Sequence, residues 1–270
     1  MTLETAQKAV SLFVKGKEEG FLVRLLGGEP LLSFSVAKDV IDFGLANYPK
    51  IKFDLTTNGF LLDKKVADFF FKRERAELIL SSCQADIIRL KKLSDSFDLS
   101  FITINFNLLP QSIGQCFNFF EKMVALGFRR FNFLPAFYFP WRKKEIEGLQ
   151  KFLQKISLFI EVQTIPVKIK NLEYSSKVPL YNLAPTIDCQ GGIYAGDFFL
   201  DARFEPLKSI LKLGNIYKLK SSNEIFDLPL EIDINLLLSR AFSADILTAN
   251  KMVYEKISDF CRQFKNNILI

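Results

Sequence analysis

The chain has 270 residues, 49% of them apolar, which suits a globular chain of one large domain, or one domain with a small appendage. It carries a net charge of +6, four cysteines and no histidine. Ser–His–Asp and Cys–His catalysis are thereby excluded, as are histidine-ligated zinc and iron.

The first expected element is a helix, with Thr2 as N-cap and Ala6, Val10 and Phe13 on one face. Phe21 to Leu26 is an apolar run ending in Gly27-Gly28, the pattern of a buried strand feeding a tight loop. A helix is expected over Val36 to Ala46, then a strand over Ile51 to Leu55 ending at Thr56-Thr57-Asn58-Gly59. Asp63 opens the next helix, through Val66, Phe69 and Phe70, and Glu77 to Leu80 is a strand ending at Ser81-Ser82. Ile87 to Leu93 reads as helix, Leu99 to Phe106 as strand with Asn105 and Asn107 near its end, and Ile113 to Leu126 as helix closed by Gly127. Arg130 to Leu134 is a strand ending at Pro135, and Lys144 to Phe159 a helix.

This strand–helix alternation implies parallel strands with helical crossovers. Five strands before residue 140 suit a partial (β/α) barrel, whose sites form at the C-terminal strand ends. An open doubly wound sheet gives the same order, so alternation alone does not decide between them. Beyond Leu158 the texture changes: a strand over Ile160 to Ile169, a loop from Lys170 to Pro185, a small β-hairpin over Gly191 to Leu200, and one or two helices from Glu231. The expected domains are therefore residues 1–160, an α/β partial barrel, and 161–270, a small α+β region with C-terminal helices.

The 29 phenylalanines predict an aromatic core or an apolar pocket. The basic pairs Lys72-Arg73, Lys91-Lys92 and Arg129-Arg130 are short and scattered. They suit helix ends and loops rather than a nucleic-acid stripe. Cys83, Cys116, Cys189 and Cys261 have no metal-knuckle or redox spacing. Dispersed cysteines, the lack of a signal-peptide pattern, and the lack of an apolar run near the roughly 18 residues that span a bilayer point to a cytoplasmic chain without a membrane partner.

The strongest local signal is Leu25-Leu26-Gly27-Gly28-Glu29-Pro30-Leu31-Leu32. Paired glycines let backbone approach a ligand closely, and carbonyls with a carboxylate beside them suit an ammonium group. Glu29 either contacts that ligand or caps the next helix. Thr57-Asn58-Gly59 closes the following strand, with Leu61-Leu62-Asp63 beginning the next helix.

With these two motifs in this order, the sequence resembles the radical SAM superfamily, in its peptide- and sulfatase-maturase branch. There GGEPLL ends the second barrel strand and TNG the third. The resemblance implies S-adenosylmethionine (SAM) as cofactor, its methionyl ammonium at Gly27, Gly28, Glu29 and Pro30. It places Thr57 and Asn58 on the adjoining strand end, and Ser81 and Asn105 near the rest of SAM. The family's I-S-x-D-G strand end matches at Ser81, whereas Cys83 stands in place of its aspartate and is read as an apolar substitution. Phe133-Leu134-Pro135 fits the sixth strand end. Lys212-Leu213-Gly214-Asn215-Ile216 matches a stretch of the family's auxiliary SPASM or twitch region.

The family's defining CxxxCxxC loop, whose thiolates hold a four-iron–four-sulfur cluster, has no counterpart in this sequence. The expected fold is thus a radical-SAM-type partial barrel lacking its first strand, with no metal-ligand residues to assign. Two functional readings stay open. One is a maturase-like radical SAM protein, as a fragment or degenerate member, acting on a peptide or protein. The other is a non-catalytic pseudoenzyme that binds a peptide, a partner enzyme or SAM. Without a preceding strand, Phe21–Leu26 exposes an apolar edge. An upstream segment, a partner subunit or the N-terminal helix is expected to cover it.

Overall fold

The computed structural model describes residues 1–14, 20–82, 87–162, 166–173, 184–197, 202–221, 224 and 234–268. In chain order the main elements are α1 (Leu3–Val14), β1 (Phe21–Leu25), α2 (Phe34–Asn47), β2 (Ile51–Thr57), α3 (Lys64–Phe71), β3 (Ala76–Ser82), α4 (Ile87–Ser94) and β4 (Thr103–Leu108). They continue with α5 (Cys116–Ala125), β5 (Arg130–Pro135), α6 (Lys143–Val162), β6 (Lys168–Ile169), β7 (Pro185–Ile187) and β8 (Gly192–Ala195). Last come α7 (Lys208–Leu211), β9 (Lys212–Asn215), α8 (Ile234–Ala241) and α9 (Ala244–Ile268).

Strands β1 to β6 form one sheet in their sequence order. That order separates the two topologies left open by alternation. A doubly wound sheet reverses direction at a switch point, whereas a barrel adds each strand beside the last. The observed pairings are parallel, with Leu25 opposite Leu55, Ser81 opposite Asn105, and Asn105 opposite Asn132. The architecture is the expected partial (β/α) barrel with a small separate sheet, β7-β8-β9, which is antiparallel.

The chain divides into two compact units: residues 1–56, 73–77 and 181–241, and residues 57–72, 78–180 and 242–270. In the first unit, Thr2 Oγ1 accepts the Thr5 amide and caps α1. The apolar stripe of α1 places Ala9 and Phe13 against Ile193 of β8 and Ile216, with Leu12, Phe21 and Ile187 around them. Thr5 Oγ1 and Tyr217 Oη share a 2.7 Å hydrogen bond, and Lys8 Nζ lies 4.7 Å from the Tyr217 ring centre. Arg75 binds α2 to its connection with β2, donating to the carbonyls of Leu45, Tyr48, Pro49 and Ile51. The carbonyls of Leu45, Tyr48 and Pro49 belong to the end of α2 and the turn after it, and Ile51 begins β2.

The second unit carries the expected phenylalanine core. Phe106, Phe120, Phe131, Phe133 and Phe152 are buried, and their rings meet mostly edge to face. After β6 ends, the side chain of Asn171 takes over as a strand would. Its Oδ1 accepts the Phe133 amide at 2.7 Å and its Nδ2 donates to the Phe133 carbonyl at 3.0 Å.

Several element boundaries differ from the sequence expectation. Ile160 to Ile169 is not one strand: α6 continues to Val162, and among the described residues of this stretch the strand is Lys168–Ile169. The apolar β-branched residues there suggested a strand, but the buried face Ile146, Leu149, Phe152, Leu153 and Ile156 keeps helical period, and the helix carries Leu158 and Val162 outward on its far side. Strand β4 begins at Thr103 rather than Leu99, because Asp98 accepts the Ser100 amide and hydroxyl and holds a turn. The helix expected from Ile113 starts as a 3-10 turn over Pro110–Gln115. The hairpin partner of β8 is β7, with β9 on its other side; residues 198–200 lie outside the described ones.

Candidate functional site

The Gly27-Gly28-Glu29-Pro30 loop leaves the C-terminal end of β1, in the first unit. Gly27 has φ +100° and Gly28 φ +22°, backbone that side-chain-bearing residues rarely adopt. A Cβ at either position would meet no atom within 4 Å, so the glycines face open space rather than a packed wall. The chain therefore needs glycine here for its turn, and the turn leaves its backbone accessible. Glu29 Oε1 accepts the Leu31 amide at 3.0 Å, capping the short 3-10 turn Pro30–Ser33. Pro30 opens that turn, where a missing N–H costs nothing.

One residue pair in this unit escaped the sequence reading. Arg24 Nε lies 3.3 Å from Asp54 Oδ2, on neighbouring strands at matching register. The spacing of charge in Val23-Arg24-Leu25 and Phe53-Asp54-Leu55 carries the signal, since alternation puts both on one sheet face.

In the second unit, Thr57-Asn58-Gly59 forms a tight turn. Thr57 is buried, and its Oγ1 accepts the Gly59 amide at 2.9 Å. Asn58 is exposed, and its Oδ1 accepts the Phe60 amide at 2.9 Å. Gly59 has φ +75°. Asp63 Oδ1 accepts the Val66 amide and caps α3, as expected. These polar side chains thus hold the shape of the strand end.

Ser81 and Asn105 are brought together: they are register partners on β3 and β4. Asn132 on β5, which the sequence reading did not single out, is the register partner of Asn105 and donates Nδ2–H to its Oδ1 at 3.0 Å. All three are half-buried, while Leu80, Ile104, Phe106, Phe131 and Phe133 beside them in sequence are buried on the opposite face. Alternation in Arg130-Phe131-Asn132-Phe133 would have identified Asn132.

The described cysteines are not gathered into a set that could hold a four-iron cluster. Cys116 is buried and donates to the Ser112 carbonyl; Cys261 is buried and donates to the Asn171 carbonyl. Cys189 is exposed, and Cys83 lies outside the described residues. Among the described residues no group of three or more His, Cys, Asp or Glu side chains is arranged to hold a metal ion. No described helix is long and apolar enough to cross a membrane.

In the small sheet, Asp188 organises the β7–β8 turn. Its carboxylate accepts the amides of Gln190 and Gly192 and the Tyr194 hydroxyl. Burial, and then the Asp188 carboxylate beside it, hold the Tyr194 phenol above its ordinary value. Within the Lys212–Ile216 stretch, Asn215 Oδ1 accepts the Tyr217 amide and its Nδ2 donates to the Gln190 carbonyl. The stretch acts as the third strand of the sheet and its exit turn.

No protein-family model matches this chain, and no curated protein matches it in sequence. Solved structures match it in three dimensions. A native anSMEcpe structure with bound AdoMet (SAM) superposes with a TM-score of 0.71 at 14% identity, covering 99% of this chain and 89% of that one. An anSMEcpe structure with bound AdoMet and the Kp18Cys peptide gives a TM-score of 0.61 at 16% identity, covering 83% and 71%. Streptococcus suis SuiB gives 0.59 at 16% identity, covering 85% of this chain and 60% of SuiB. The chain shares the fold of these proteins, in keeping with the partial (β/α) barrel expected from its sequence.

Proposed function

We propose that this chain is a radical-SAM-type protein that binds SAM but holds no catalytic cluster through its own residues. The observation that carries the reading is the Gly27–Gly28 turn. It is a left-handed, unobstructed backbone loop at a strand's C-terminal end, on a fold whose solved relatives include AdoMet complexes. In this reading the loop receives the methionyl ammonium, with Glu29 shaping the loop through its cap on Leu31. Thr57, Asn58, Ser81 and Asn105 are the remaining assigned contacts. A peptide or protein is the assigned partner, a reading supported by the peptide in the anSMEcpe complex.

The test is calorimetric titration of the purified chain with SAM, before and after anaerobic treatment with iron and sulfide. The expected product is colourless, binds SAM and does not cleave it. Gly27→Lys, which puts a side chain and a second cation into the loop assigned to the ammonium, should abolish the binding heat. No binding in the parent chain would overturn the reading.

A second reading is a complete enzyme whose cluster ligands come from another segment or a partner subunit. It is favoured by the place of β1 as the terminal strand of the sheet among the described residues. A brown, SAM-cleaving product after reconstitution would establish it instead.

A further inference from the structure

The polar row Ser81–Asn105–Asn132 crosses β3, β4 and β5 at one level of the second unit. Asn132 Nδ2 donates to Asn105 Oδ1, and neither side chain has another hydrogen-bond partner among the described residues. An asparagine amide has one acceptor oxygen and two N–H donors. With its oxygen turned to Asn132, the planar Asn105 amide directs its NH2 the other way, so that away from Asn132 it offers N–H groups on the half-buried face. Turning either amide over alone would set donor against donor or acceptor against acceptor, so the two orientations are coupled.

We propose that Asn132 is a positioning residue: by occupying Asn105 Oδ1 it directs the Asn105 NH2 toward an acceptor oxygen of the bound ligand. The proposal rests on the SAM reading above and adds a residue on a strand that the reading does not use.

The experiment has a ligand-free and a ligand-bound arm. In ligand-free protein labelled with 15N and 13C, a correlation across the hydrogen bond is expected between Asn132 Nδ2 and Asn105 Cγ. Its absence overturns the proposal. In the second arm, SAM binding is titrated for the parent chain and for Asn132→Asp, Asn132→Ala and Asn105→Ala, with thermal melts as controls.

Asn132→Asp keeps the shape but carries no proton to donate at pH 8, so Asn105 must turn over and present its oxygen to the ligand. We expect about a tenfold loss of affinity, the size of one misdirected hydrogen bond, and a smaller loss for Asn132→Ala. A side chain that merely packs would give the reverse ranking, with the isosteric Asp milder than Ala, and that ranking overturns the proposal. In an Asn105→Ala background, Asn132→Asp should add nothing. A persisting loss would be a direct effect of the new charge and would equally overturn it. If Asn132→Asp melts early, the same ranking is read from Asn132→Ser, whose hydroxyl retains a donor, against Asn132→Ala: equal affinities overturn the proposal. A correlation seen in a parent chain that does not bind SAM shows the amide pair intact. In that case the SAM reading is the part that fails, and the positioning role falls with it.

Discussion

Arg24 and Asp54 face each other across the β1–β2 pairing, joined by a 3.3 Å ion pair in which Asp54 is almost fully buried and Arg24 is 40% exposed. The asymmetry decides what breaking the pair costs. Arg24→Met removes a partly solvated cation and leaves a buried carboxylate without it. Because solvent screens the exposed partner, we expect a loss of about 1–3 kcal/mol in unfolding free energy rather than the larger cost of a fully buried pair. Asp54→Asn should cost less, since the amide can still accept from Arg24. Urea titration of both variants gives the comparison, and a neutral Arg24→Met would show that the pair contributes nothing.

Gly27→Ala and Gly28→Ala test backbone conformation alone, because a Cβ would clash with nothing at either site. Each should destabilise the chain by about 1 kcal/mol through its positive φ. Gly27, with the larger φ, should be the more sensitive. Thermal melts together with SAM titration would separate loop strain from loss of ligand.

Gly44→Ala is the opposite case. Its Cβ would fall 2.4 Å from Phe53 Cζ, inside a well-packed contact between α2 and β2. Overpacking of this kind costs about 1–3 kcal/mol. A shift in the urea midpoint with an unchanged slope is the expected result.

Asn171→Ala removes both side-chain bonds that continue the sheet beyond β6. The Phe133 amide and carbonyl would be left without those partners, a cost of about 2–4 kcal/mol. Hydrogen exchange at the Phe133 amide should accelerate in the variant. An unchanged exchange rate there would refute the role of Asn171 as a strand surrogate.

Tyr194 predicts alkaline behaviour. Its phenol is held above its ordinary value by burial and by Asp188, so folding favours the neutral form. The corresponding stability is whole below the unfolded tyrosine value near about 10 and is lost as pH rises through the higher folded value. Tyr194→Phe should flatten that alkaline loss. At neutral pH it should cost about 1 kcal/mol, for the missing bond to Asp188. Unfolding followed from pH 8 to 11 would show the difference.

Local patterns made much of this fold legible. Thr2 and Asp63 were readable as caps because an N-cap needs only the right side chain before an apolar period. The five strands before residue 140 were readable from their runs and terminal turns, with ends displaced where a local side-chain bond intervened, as at Asp98. The end of α6 was not readable, since Ile160 and Val162 suit either state and only the buried face of the whole helix decides.

The sequence by itself determined the strand–helix order, the need for glycine at the loop after β1, and the lack of a cysteine set for a cluster. Each of these depends on residue type and near neighbours. Only the tertiary structure decided that the strands add in order as a barrel does, that Asn105 is tied to Asn132, and that Glu29 caps its own turn. It likewise decided that α1 packs on the β7–β9 sheet. Those relationships join residues far apart in the chain, or choose between two partners for one side chain. Register and burial settle such choices, and neither is written in local composition.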